Sequence, residues 1–95
     1  MSDDTRVTVY GDEHCAYCAA ARMLFTRKGI RFEDIVVSKD ADRLAEMQAR
    51  SGSHSVPQIF VGDKHIGGFD ELSSLDKSGE LDKLLTDPGG GEASL

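Results

Sequence analysis

The first patterned stretch, "RVTVY" at residues 6–10, alternates polar and apolar positions and is rich in β-formers, which predicts a first strand. Gly11 breaks the run, and "DEH" continues as a polar loop. Residues 16–28 then turn helical. Ala19, Ala20 and Ala21 are strong helix formers, and Ala20, Met23, Leu24 and the stem of Arg27 share one helix face. Gly29 stands where a helix stops. "IRFEDIVV", residues 30–37, reads as a second strand. The connection between the two strands is long enough for a helical crossover, so they are expected to run parallel. "SKDADRLAEMQARSG" predicts a second helix, capped by Ser38 or Asp40, with Leu44 and Met47 on its apolar face and Gly52 at its end.

Further on, "QIFV" and "KHIG" flank Gly62-Asp63, a hairpin signal. Residues 69–85 carry Leu72, Leu75, Leu81, Leu84 and Leu85 and predict one helix, or two with a break at Gly79. Asp70 near the start suits the helix dipole. The order β-α-β-α-β-β-α implies an α/β sandwich, a small mixed sheet with helices on its faces. Residues 1–85 read as one domain. The tail "TDPGGGEASL", residues 86–95, reads as disordered.

Composition narrows the function classes. A chain of 95 residues supports one modest core. Its net charge of −6, with no basic stripe, argues against nucleic acid. No apolar run has transmembrane length, and the acidic start "MSDDTRV" lacks a signal-type apolar region, so a cytoplasmic protein with no membrane contact is expected. In that reducing compartment, two cysteines fit catalysis or metal binding better than a structural bridge.

Those cysteines lie in "EHCAYCAAARMLF", residues 13–25, and three readings are open. As a redox pair, Cys15 sits at the start of the first helix, where unpaired N–H groups and the dipole stabilise a thiolate. Cys18, one turn on, can reach back to a mixed disulfide on Cys15. As half of a zinc site, the pair lacks partners, since the spacings of His14, His54 and His65 match no finger. As two buried thiols, the pair meets the difficulty that Cys15 follows a polar loop. A C-x-x-C beside a βαβ pattern reads as a thioredoxin-like redox motif.

"CAYC" before a helix, "SVPQIFVGDKHIGGFDEL" and "LDKSGELDKLL" together resemble the glutaredoxins, in particular the small bacterial dithiol type, over about residues 6 to 85. The resemblance implies a thioredoxin-like fold, a four-stranded mixed sheet of order 2-1-3-4 flanked by helices, with Pro57 in the cis form. It implies that Cys15 is the nucleophile and Cys18 the resolving thiol. Tyr17, Val56 and Pro57 would line a glutathione site. Gly68, Phe69 and Asp70 would bind the γ-glutamyl end, with a carboxylate on helix N–H groups and an ammonium beside Asp70. The implied activity is glutathione-dependent reduction of protein disulfides and glutathione mixed disulfides, at a potential of about −200 to −230 mV. No bound cofactor is expected, and glutathione is the reductant. The partners implied are glutathione and disulfide or glutathionylated proteins, among which ribonucleotide reductase fits, and the protein itself is expected to be a monomer.

Two departures change this picture. Ala16 stands where the family usually has Pro, and relatives with a small residue there include some that hold a [2Fe-2S] cluster between two protomers with two glutathiones. In that alternative Cys15 is the cluster ligand and the protein a dimeric carrier or sensor. Asp12, followed by Glu13, stands where relatives commonly carry a Lys. At ~8 Å a charge is worth about 0.5 kcal/mol in bulk water and about 2 kcal/mol at an effective dielectric of 20, so the Cys15 pKa is expected to be higher than in Lys-bearing relatives. Glutathione, itself anionic, is expected to bind more weakly, with Arg43 or Arg50 as the candidate replacement cation. His14, beside the nucleophile, is either a proton partner or a bystander; His54 and His65 are expected to be structural or solvent-facing.

Overall fold

The computed structural model describes residues 7–86. Nine elements follow in order: β1 (Val7–Gly11), α1 (Ala16–Arg27), β2 (Phe32–Val36), a 3-10 turn (Val37–Lys39), α2 (Ala41–Ser51), β3 (Gln58–Val61), β4 (Lys64–Gly67), α3 (Phe69–Ser78) and α4 (Glu80–Thr86). The break at Gly79 makes two helices of the last segment, because that residue adopts a left-handed φ of 86° that glycine tolerates best. Thr86, assigned to the tail from sequence, closes α4. Arg6 and the rest of the expected tail lie outside the described residues. Ile30 and Arg31 fall in the α1–β2 connection, so β2 is shorter than its apolar run.

The sheet order is β2-β1-β3-β4, as the resemblance implied. β1 runs parallel to β2, with Val7 opposite Phe32, and antiparallel to β3. β3 and β4 form the hairpin across Gly62-Asp63, with a register shift between Ile59 and Phe60. Alternation along β1 divides the core in two. Val7 and Val9 pack with Ala21, Leu24 and Phe25 of α1, Leu72 of α3 and Leu81 of α4. Tyr10 faces the other way, toward Ile35, Val37, Met47 of α2 and Phe60. Two layers of helix therefore cover the two faces of one sheet.

Of the expected inward face of α1 only Leu24 is buried. Cys18, Ala21, Leu24 and Phe25 are buried, whereas Met23 is 54% exposed. Three consecutive alanines give almost no contrast between faces, so the register is decided by the sulfur of Cys18 and the ring of Phe25. At α2 the alternatives resolve to Asp40, whose Oδ1 accepts from the N–H groups of Asp42 and Arg43 at 3.1 and 3.2 Å. Ser38 sits in the 3-10 turn and instead donates to Asp12 Oδ1 at 3.2 Å.

Candidate active site

The loop that carries Cys15 is bent by Asp12. Its Oδ1 accepts from the His14 N–H at 3.3 Å, an Asx-type turn, and this bond is the main reason its own pKa is lowered. The chain then enters α1 with Cys15 as N-cap. The Cys15 Sγ accepts from the Cys18 N–H at 3.2 Å, so a sulfur occupies the place a serine or aspartate oxygen usually takes. Burial is the largest single influence on the Cys15 thiol and pushes its pKa up. Hydrogen bonds from the Cys18 side chain and from the N–H groups of Cys18 and Tyr17 outweigh it, and the net pKa lies below the ordinary value. The Asp12 charge opposes this lowering, with the sign expected from sequence.

Cys18 is the opposite case. It is 0% exposed, and burial, followed by its hydrogen bond to Cys15, pushes its pKa up to about 11. Its Sγ accepts from the Asp12 N–H at 3.4 Å. One thiol is thus accessible and inclined to ionise. The other is held protonated behind it.

Beside Tyr17, two residues after Cys15, runs a groove of about 560 Å³, a volume suited to a small ligand. Tyr17, Val56, Pro57, Gly68, Phe69 and Asp70, all singled out from sequence, line it together. The Tyr17 ring, 63% exposed, lies 6.1 Å from that of Phe69, so the start of α1 meets the start of α3 across the groove. The Val56–Pro57 bond is cis. Gly67 has a φ of 119°, and a Cβ there would lie 3.1 Å from the Glu71 side chain. The Gly68 N–H donates to Glu71 Oε1 at 2.8 Å, which removes one of the free donors at the start of α3.

Neither expected replacement cation lines the groove. Arg43 pairs with Glu33 at 2.9 Å and Glu46 at 3.3 Å. Arg50 donates to the Tyr10 hydroxyl at 2.8 Å and stacks 4.0 Å over Phe60, while Tyr10 also donates to Glu46. Both cations are held by partners on the α2 face of the sheet. His14 is exposed and lies 3.8 Å from Glu13, whose other neighbour is Lys39 at 3.1 Å.

His65, expected only to be structural or solvent-facing, lines the groove and bonds Gln58 Oε1 at 2.7 Å. Gln58 Nε2 in turn donates to the Ser55 carbonyl at 3.0 Å, fixing the chain just before Val56. Sequence reasoning also passed over Glu71 and Arg22. Glu71 was legible as a Glu three residues after a cap position. Arg22 stands four residues after Cys18, on the same helix face.

A cysteine of lowered pKa at the first helix start, on a sheet of order β2-β1-β3-β4, defines a thiol–disulfide protein of thioredoxin-like fold. The comparisons with known proteins sharpen that class. The family model described as Glutaredoxin matches residues 7–66. Glutaredoxin 3 of Escherichia coli K12 is 44% identical over 79 residues, 83% of this chain and 95% of that protein. The solution structure of glutaredoxin from Brucella melitensis has a TM-score of 0.76 at 44% identity, covering 88% of this chain and 91% of that one. A crystal structure of a buckwheat glutaredoxin–glutathione complex has a TM-score of 0.80 at 30% identity, covering 90% and 80%. The chain belongs to the glutaredoxin family, whose activity class is thiol–disulfide oxidoreduction.

Among the described residues, no three His, Cys, Asp or Glu side chains are grouped to hold a metal ion. A cluster shared between two copies makes a different demand, one ligand from each chain. Cys15 fits that demand and the buried Cys18 does not. No helix of the described residues is long and apolar enough to cross a membrane.

Proposed function

We propose that this protein is a cytoplasmic, glutathione-dependent oxidoreductase that reduces protein disulfides and glutathione mixed disulfides through Cys15. The observation that carries the reading is the Cys15 sulfur capping α1 two residues before Tyr17, which lines a groove together with Val56, Pro57 and the start of α3. The relative solved with glutathione adds support.

In this reading the Cys15 thiolate attacks the glutathionyl sulfur, and the protein thiolate departs and takes a proton. The γ-glutamyl carboxylate meets the N–H groups of Phe69 and Asp70, since that of Gly68 is engaged by Glu71. The Asp70 carboxylate receives the ammonium, and the backbone of Val56 lies along the cysteinyl unit. The second step has two routes. A second glutathione attacks the glutathionyl sulfur and frees Cys15, or Cys18 closes a disulfide with Cys15. With Asp12 in place of a cation, affinity for glutathione is lower than in Lys-bearing relatives.

The test is turnover of a small glutathione mixed disulfide, coupled to glutathione, glutathione reductase and NADPH, in wild type, Cys15→Ser and Cys18→Ser. Activity in wild type and Cys18→Ser, with none in Cys15→Ser, is expected. An inactive wild type overturns glutathione dependence.

A further inference from the structure

Arg22 has no part in the groove, yet it is built into the back of the cysteine pair. Its side chain is only 20% exposed, and its Nε donates to Asp34 Oδ1 of β2 at 2.9 Å. Its Nη2 donates to the Asp12 carbonyl at 3.1 Å, and the N–H of that same Asp12 donates to Cys18 Sγ. A Cβ placed on Gly11 would lie 3.0 Å from Cys18 Sγ and 3.1 Å from Arg22 Nη2. The nitrogen and the sulfur are therefore no more than about 6 Å apart, within the range where an opposite charge favours ionisation.

We propose that Arg22 is the positioning residue of the resolving step: its guanidinium, anchored by Asp34, holds the Asp12 N–H on Cys18 and stabilises Cys18 as a thiolate when Cys18 attacks a mixed disulfide on Cys15. This rests on the reading of Cys15 as the nucleophile. In the resting protein burial does most to keep Cys18 protonated, and its hydrogen bond to the Cys15 sulfur, with the negative charge there, adds to this. Once Cys15 is joined to a substrate sulfur, its charge is gone. Burial still opposes ionisation of Cys18, and the Asp12 N–H and Arg22 favour it. The other charges nearby are Asp34, which offsets part of the Arg22 charge, and the Asp12 carboxylate, which Ser38 holds in place. Reaction of Cys15 thus removes part of what holds Cys18 protonated and leaves Arg22 and the Asp12 N–H to favour its thiolate.

The step balances. Cys18 loses its proton to water, and its thiolate attacks the Cys15 sulfur. The Cys15–Cys18 bond forms as the Cys15–substrate bond breaks. The substrate sulfur leaves reduced, takes a proton, and Cys18 is oxidised in its place.

The direct test titrates Cys18 by thiolate absorbance in Cys15→Ser, alone and combined with Arg22→Met, Arg22→Lys or Asp34→Asn. Arg22→Met is expected to raise the Cys18 pKa by about half a unit to one unit, with Lys restoring part of the difference. Asp34→Asn keeps the acceptor, removes the countercharge, and is expected to lower it. Loosened packing would expose Cys18 and lower its pKa in the Arg22→Met variant, so a fall or no change there overturns the proposal. If Arg22→Met does not fold, an unmoved pKa in Asp34→Asn overturns it. In the protein with both cysteines, the ratio of protein-disulfide turnover to mixed-disulfide turnover is expected to fall by about twofold to fourfold in Arg22→Met. Wild type without mixed-disulfide turnover counts against glutathione dependence alone, and the titration still decides Arg22.

Discussion

Two helix N-termini face each other across the groove, and they are finished differently. At α1 the cap is the sulfur of Cys15, which accepts from the Cys18 N–H and stays half-exposed. At α3 the cap position is Gly68, which has no side chain, and Glu71 reaches back to its N–H. The same surplus of positive potential serves both ends. At α1 it lowers the pKa of a group belonging to the protein. At α3 it is partly neutralised from within by Glu71, and what remains faces the groove. A helix start becomes reactive or receptive according to which atom fills its cap.

The comparison breaks most sharply at Cys15. Cys15→Ser keeps an excellent cap, so urea-unfolding stability is expected to change by less than ~1 kcal/mol while turnover falls to background. Capping and chemistry are thereby separated in one variant. Next comes the contrast between the two thiols. Cys18, with its pKa pushed up to about 11, holds far less thiolate near neutral pH than Cys15, whose pKa lies below the ordinary value. Brief alkylation at pH 8, read by mass spectrometry, is expected to label Cys15 about a hundredfold faster.

Gly11→Ala probes how tightly the end of β1 is pressed on α1. The new Cβ would lie 3.0 Å from Cys18 Sγ, and a loss of about 1–3 kcal/mol in urea unfolding is expected. Glu71→Gln tests the other helix end. It keeps an acceptor for Gly68 but removes a negative charge from the groove, so KM for glutathione is expected to fall about twofold with little change in Tm. The smallest effect belongs to Asp12→Asn. The Asp12 charge raises the Cys15 pKa, so its removal is expected to lower that pKa by a few tenths of a unit. The pH–rate curve, which rises as Cys15 ionises, then moves toward acid by the same amount.

The element order was legible because β-branched alternation, helix formers and glycine stops agree along most of the chain. The six groove residues were legible only as a set joined by resemblance, since Asp70 or Gly68 in isolation reads as a cap or a turn. What escaped were side-chain partnerships across elements. Nothing local tells that Arg43 is taken by Glu33 on β2, or Arg50 by Tyr10 on β1, because these pairs form only when the strands align. The inward face of α1 was misjudged for a related reason. Alanine runs carry helix propensity but no direction, and packing against β1 supplies it.

The sheet also governs how the molecule behaves in a crowd. Its outer strands are short, and each turns charge toward water: Glu33 and Asp34 along β2, Lys64 beside His65 along β4. The register shift between Ile59 and Phe60 further interrupts the ladder next to β4. A stray extended chain finds no long, flat, apolar edge to extend. A protein with such edges therefore presents its groove without also presenting a strand for another chain to pair with.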